Sequence, residues 1–218
     1  MAIVDSLDQL RDSINVLEHP FYLRWNAGEL TAPELALYAG EYRHAVLALA
    51  EASAQAADAA AEPHRAGLMR HAEEEASHVA LWDAFARAAG SVRADAAESP
   101  TAPETAACVR AWTAGEDLLE NLAVLYVLEA GQPQISRTKI DGLTAHYGYS
   151  AEGPATEYFR VHEVLDVEHG RQARALIETL IGDEPEPRQA GERMLERARA
   201  ALLGNWELLD GVQACVAA

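Results

Sequence analysis

The sequence predicts an all-α fold, a single bundle of about seven helices spanning residues 1–218, and three observations carry that prediction. Apolar residues recur at steps of three and four along almost the whole chain, and no segment alternates as a half-buried strand does. Alanine is abundant, aromatic residues make up 6% of the chain and runs of β-branched residues are short, a composition that favours helix throughout. Proline, glycine and capping residues punctuate the periodic segments at helical lengths. At 218 residues one such bundle closes a full core without a second domain.

Taken in order, Leu7, Leu10, Ile14 and Leu17 share a face, and Ser6 with Gln9 is placed as a capping box, so a first helix is expected over 6–17. His19-Pro20 is expected to stop it, leaving Phe21-Tyr-Leu-Arg-Trp25 as an aromatic-rich segment before a turn at Gly28. Thr31-Ala-Pro-Glu34 is a second capping box with proline in the first turn. It opens a long alanine-rich helix to about residue 58, with Tyr38, Tyr42, Ala45 and Leu49 on one face. Pro63 starts a third helix that ends at Gly90 in a left-handed cap. The stretch 91–103 is polar, proline-flanked and aperiodic and reads as a loop within the one domain. Helix resumes over 104–130 with a bend at Gly115; it is almost wholly apolar from Leu118 to Leu128 and closes in Glu129. Gly131-Gln-Pro133 breaks it before a shorter helix over 134–146, where Ile135, Ile140 and Leu143 point inward and Lys139 stands beside that face. Another helix is expected over about 155–181, and 182–187 separates it from a last one carrying Met194, Leu202, Trp206 and Leu209.

The formal net charge of −18 argues against nucleic acid, whose phosphates would be repelled, and against an anionic membrane surface. No apolar run approaches the length of a bilayer span, and the first residues lack a basic region followed by an apolar one. Cys108 and Cys215 lie far apart without a C-x-x-C spacing, which indicates neither a disulfide framework nor a thiolate metal site. A reducing, cytoplasmic setting is the expectation.

The chemistry concentrates between Tyr158 and Arg171. Each helical residue advances about 100°, so steps of four and three place His162, Asp166 and His169 on one stripe, with Phe159 a turn earlier on the same stripe pointing it inward. Two imidazoles and a carboxylate entering a core need a partner, and a divalent metal satisfies all three. Glu75 and His78 form a Glu-x-x-His pair of the kind that ligates in dimetal bundles, and Glu74 with His78 is an i, i+4 alternative. Glu129 is a lone carboxylate ending an apolar run. Glu41 and His44 repeat the Glu-x-x-His spacing one position off the core face, where a solvated pair is the preferred reading. Glu75 or Glu74, His78, Glu129, His162, Asp166 and His169 thus supply three carboxylates and three imidazoles, a set suited to two first-row ions sharing a carboxylate with positions open for dioxygen. A second Glu-x-x-His where ferritin chemistry requires one is missing.

These ligands occur together with Leu17-Glu-His-Pro-Phe-Tyr-Leu-Arg-Trp25, Gly28-Glu-Leu-Thr31, Tyr38-Ala-Gly-Glu-Tyr42, His78-Val-Ala-Leu-Trp82, Leu125-Tyr-Val-Leu-Glu129 and Lys139-Ile-Asp-Gly-Leu-Thr144. Over most of its length the chain so resembles the haem-oxygenase-like dimetal oxidases, related in fold to the TenA and PqqC proteins, and within them the CADD-like para-aminobenzoate synthases. The resemblance implies a haem-oxygenase-like bundle, an Fe/Fe or Mn/Fe pair, dioxygen as co-substrate, an external reductant and supply of a folate precursor. It also implies a self-sacrificing reaction in which a protein tyrosine gives the aromatic ring and a lysine the amine, positions that fall on Tyr22 and Lys139. Leu128 stands where the relatives place an aromatic before the ligand glutamate, which leaves a radical relay to Tyr38 or Tyr42.

Two other readings accompany this one. The same centre would oxidise an external small molecule in the manner of the fatty-acid decarboxylases and N-oxygenases of the fold, or the chain would be a metal-free relative or an interaction module like the death-domain binder. A TenA-type nucleophilic cysteine near the end of the Glu129 helix is not found in Gly131-Gln-Pro133. Small molecules and a second copy of the chain, as a homodimer, are the expected partners.

Overall fold

The computed structural model describes residues 2–91 and 102–217. Among them stand nine α-helices and one 3₁₀ turn: α1 (Ile3–Ser13), the turn (Val16–Glu18), α2 (Pro20–Ala27), α3 (Ala32–Ala59), α4 (Arg65–Ala88), α5 (Pro103–Trp112), α6 (Leu118–Glu129), α7 (Gln132–His146), α8 (Glu157–Asp183) and α9 (Pro187–Ala217). No strand occurs among the described residues. The fold is all-α, and no described helix is long and apolar enough to cross a membrane. The expected loop over 91–103 lies almost wholly outside the described residues, with Pro103 opening α5.

Two departures raise the expected seven helices to nine. His19-Pro20 does not stop the first helix, which already ends at Ser13, but begins α2: Pro20 occupies the first helical position, and His19 Nδ1 accepts the Phe21 amide at 3.0 Å while Nε2–H donates to Asp210. The expected bend at Gly115 is a full break between α5 and α6, because Asp117 caps a new helix by accepting the Glu120 amide. The capping box at Thr31 and Glu34 forms as expected, and Gly90 takes φ +80 with Ser91 N–H donating to Ala86 and Gly90 N–H to Arg87, a Schellman end. The Ser6–Gln9 box does not form. α1 already begins at Ile3, so Ser6 is an interior residue whose hydroxyl bonds the Ala2 carbonyl.

Helix α6 is the axis. Every residue from Leu119 to Glu129 is buried, and α1, α3, α7, α8 and α9 all pack on it, as a helix apolar on every side requires. Its sequence therefore delivers Glu129 to the interior without any polar face to carry it there. Three indoles fasten the surrounding helices in pairs by donating to backbone carbonyls: Trp25 of α2 to Lys139 of α7, Trp82 of α4 to Ala39 of α3, and Trp112 of α5 to Ala201 of α9. A buried indole N–H needs such an acceptor, so each bond fixes register as well as contact.

The approach of α2 to α7 depends on Gly142, where an added Cβ would lie 2.4 Å from the Trp25 ring. Gly142→Ala is expected to destabilise the chain by about 1–3 kcal/mol through overpacking. Gly182→Ala, in the open last turn of α8 with nothing within 4 Å, is expected to be neutral or to stabilise by up to about 1 kcal/mol. Denaturant unfolding of the two variants beside the parent checks both.

Candidate metal centre

Helices α4 and α8 cross beside the C-terminal end of α6, and seven ionisable side chains meet there. Their donor atoms fall into groups lying within 4.8 Å of one another: His71, Glu129 and His169; Glu75, His78 and His162; and Glu75, Asp166 and His169. Glu75 belongs to two of the groups, so its carboxylate stands between the two sides of the centre. The rings pair crosswise, His71 with His169 at 4.4 Å between centroids and His78 with His162 at 4.6 Å, as two antiparallel helix segments dictate.

Several of these groups approach without bonding. His71 Nε2 is 3.0 Å from Glu129 Oε1, and His169 Nδ1 is 3.3 Å from Asp166 Oδ1. All four atoms, with His162 Nε2 and both Asp166 oxygens, are nevertheless buried without an aligned hydrogen-bond partner. Lone pairs brought together but not aimed at one another's protons suit cations held among them. The charges are strained accordingly. Burial pushes Glu129 and Asp166 up from the usual carboxylate range, only partly countered by His71 and His169 respectively. Burial acts the same way on Glu75, but the adjacent His162 and His78 imidazoles outweigh it and hold that carboxylate well below its ordinary value. For His71, burial opposes protonation and the neighbouring Glu129 more than compensates, raising it to about 9.

Outer partners orient the rings. His162 Nδ1–H donates to the Tyr158 carbonyl at 2.7 Å, which leaves Nε2 facing the centre. Glu74 Oε2 lies 3.2 Å from His169 Nε2 and so turns Nδ1 inward; Glu74 itself is half exposed and stands outside the donor groups. Of the two candidate acids on α4, Glu75 is the one inside. Glu41 accepts the Ala102 amide where α5 begins, and neither it nor His44 joins the groups found among the described residues.

Next to the His78–His162 side lies a box of aromatic rings. Tyr158 stacks on His162 at 4.0 Å and meets Trp82 at 4.9 Å. Beyond Trp82, Lys139 Nζ lies 5.4 Å from the Tyr22 ring, 5.5 Å from Tyr38, 4.8 Å from Tyr42, 5.8 Å from Trp82 and 5.2 Å from Phe159. Tyr22 and Tyr38 share a hydroxyl–hydroxyl bond of 3.2 Å. Burial lowers the Lys139 ammonium to about 7 and pushes the Tyr22, Tyr38 and Tyr42 phenols up. Tyr22 is a fully buried residue of α2, held because Phe21, Tyr22 and Trp25 all face the core. Lys139, expected beside the inward face of α7, lies on it.

Residues 36–204 match the model of a family described as iron-containing redox enzymes. The chain belongs to that family. Among curated proteins it is similar to the 4-aminobenzoate synthase of Chlamydia trachomatis, 34% identical over 96% of this chain and 91% of that protein. It is similar too to the 4-aminobenzoate synthase of Nitrosomonas europaea, 34% identical over 96% and 89%. Among solved structures a TenA homologue from Pseudomonas syringae superposes with a TM-score of 0.81 at 17% identity, covering 98% of this chain and 93% of that one. A domain with a haem-oxygenase-like fold from Shewanella denitrificans gives 0.78 at 17% over 98% and 91%. The architecture is therefore the haem-oxygenase-like, TenA-like bundle expected.

The donor set fits the iron of that family: nitrogen and carboxylate ligands, no thiolate, and buried atoms left without partners. It contains one histidine that the sequence reading passed over, His71. The signal was present, since His71-x3-Glu75-x2-His78 on α4 has the spacing of His162-x3-Asp166-x2-His169 on α8. Glu75→Ala is expected to abolish stoichiometric binding of iron(II) or manganese(II). Glu74→Gln should keep the stoichiometry and weaken affinity by about tenfold, the cost of losing an outer partner. Metal analysis and titration of the two variants check the assignment.

Proposed function

We propose that this chain is a 4-aminobenzoate synthase that consumes its own Tyr22 side chain, with Lys139 as the amine donor. The observation that carries the reading is the box around Lys139, in which an amine able to lose its proton near neutral pH is enclosed with the rings of Tyr22, Tyr38 and Tyr42. The curated relatives named 4-aminobenzoate synthase support the same product.

In this reading Glu75, Glu129, Asp166 and their histidines hold two ions, an Fe/Fe or Mn/Fe pair. When bound, these would supply activation of dioxygen with electrons from an external reductant. The residues around them do the rest. Helix α2 fixes the Tyr22 ring, and its hydrogen bond to Tyr38 leaves a path for a proton or a radical between the two phenols. Aromatic walls exclude water, so Lys139 faces the ring as a free base for a larger share of the time than an exposed lysine. The product keeps the tyrosine ring and Cβ: with dioxygen as the oxidant the Cα–Cβ bond breaks, Cα staying in the chain and Cβ becoming the carboxyl carbon. The Lys139 amine condenses with the oxidised ring and replaces the phenolic oxygen, which leaves as water, and hydrolysis then breaks Nζ–Cε, leaving Cε as an aldehyde. Holding ring and amine in one pocket makes that replacement intramolecular, worth about 7 kcal/mol or more of barrier. Each chain makes one product at most, because the reaction removes its own reactants.

A second reading rests on a different feature. An apolar cavity of about 310 Å³, walled by Leu68, Leu122, Leu125, Ala173 and Leu176, ends on His71, Glu129 and His169. A small external substrate would reach the centre through it, and product would then exceed one per chain.

Chains loaded anaerobically with iron or manganese and exposed to oxygen and reductant distinguish the two. The expected yield of 4-aminobenzoate is at most one per chain, is lost in Tyr22→Phe and Lys139→Met, and rises with pH through about 7 as the Lys139 ammonium deprotonates. Undiminished product from either variant, or a yield that grows with an added small molecule, would reject the self-sacrificing route.

A further inference from the structure

The two sides of the centre differ in what surrounds them. Glu75, His78 and His162 are all buried, with Tyr158 stacked on His162 and the aromatic box beyond. His71 and His169 are only partly buried, and with Glu129 they form the inner end of the apolar cavity. We infer that His71 is a metal ligand, and that His71, Glu129 and His169 form a cavity-facing metal position whose ion exchanges with solvent, while the Glu75–His78–His162 position keeps its ion. This inference rests on the reading of the centre as a metal site and adds to it a ligand and a division of labour.

Three observations support it. The spacing of His71, Glu75 and His78 duplicates that of His162, Asp166 and His169, so each helix offers two imidazoles flanking a carboxylate, and antiparallel crossing gives each side one imidazole from each helix. His71 Nε2, Glu129 Oε1 and His169 Nδ1 are each buried without a hydrogen-bond partner, although the first two are 3.0 Å apart. A histidine serving only as counter-ion to Glu129 would be expected to turn its N–H along that short vector, since an unmade buried bond costs about 1–3 kcal/mol. The cavity of about 310 Å³ reaches this side alone of the two: its walls include His71, Glu129 and His169 and none of Glu75, His78 and His162.

An ion bordered by a cavity loses its ligands to a chelator by direct approach, whereas one enclosed by packed rings must wait for the helices to part. The test uses the full chain, stripped of metal, loaded with manganese(II) under nitrogen and desalted, with metal per chain and release to EDTA as readouts. The parent is expected to hold about two ions that leave in a fast and a slow phase. His71→Ala should hold about one ion and show the slow phase only, and free imidazole, small enough for the cavity, should restore the second ion and the fast phase. His78→Ala should keep the fast phase and lose the slow one. Helical circular dichroism of the parent type in each variant rules out loss by unfolding, and rescue by imidazole but not by pyrrole, a ring of like size without a nitrogen lone pair free for a metal, separates ligation from cavity filling. Two ions with unchanged release in His71→Ala would overturn the inference, as would a single phase from the parent. A parent chain that binds no manganese and no iron would instead overturn the metal reading on which it stands.

Discussion

Glu75, Glu129 and Asp166 are withdrawn from water where α4, α6 and α8 meet, each almost fully buried, and the rest of the molecule is arranged around the cost of keeping them there. Three anions in a low-dielectric interior cost several kcal/mol apiece unless paired. Four imidazoles surround them, yet His71 Nε2 beside Glu129 and His169 Nδ1 beside Asp166 approach without aligning as hydrogen bonds, so the protein's own groups answer the buried charge only in part. Divalent cations held among these groups would answer both the charge and the unpartnered atoms. The apolar character of α6 follows from the same constraint, because Glu129 reaches the centre only at the end of a helix that has no solvated face. Glu74 and the Tyr158 carbonyl then complete the arrangement from outside by fixing which nitrogen of His169 and His162 points inward.

Lys139 poses the complementary problem, a cation buried among rings. Ring faces offset part of its desolvation through cation–π attraction, and the remainder appears as a lowered proton affinity. The two strained regions adjoin through Tyr158 and Trp82, so the oxidising side and the aminating side of the proposed reaction lie one aromatic contact apart. Such placement destabilises the fold locally and is kept where a site needs it. The tight indole-to-carbonyl bonds between helix pairs supply the rigidity around it.

Much of this was legible from residues alone. The stripe of His162, Asp166 and His169 needed only helical periodicity, while the apolar run before Glu129 left it either at a helix end in water or a buried ligand, and the structure buries it. What escaped had physical reasons. His19-Pro20 reads as a stop because proline cannot continue a preceding helix, yet its fixed φ suits the first position of a new one, which the preceding imidazole caps here. Asp117 stands directly before the apolar run, where a cap belongs, but helical spacing on both sides of Gly115 masks the break that it caps. His71 stands next to a run of acids that drew attention to Glu74 and Glu75, and its role follows only from the spacing it shares with α8. Lys139 could not be placed by any single-helix pattern, since its box is assembled from α2, α3, α4 and α8. Tyr22 and Lys139 were singled out through family resemblance, and the structure brings the two together.

The account turns on whether the aromatic ring of the product leaves the protein itself. Chain produced with ring-labelled tyrosine, loaded with iron or manganese and exposed to oxygen and a reductant with no labelled small molecule present, tests this directly by mass spectrometry of both fractions. The account predicts labelled 4-aminobenzoate in the small-molecule fraction, matched mole for mole by a peptide that has lost the Tyr22 side chain. Unlabelled product, or labelled chain recovered with Tyr22 intact, would contradict it.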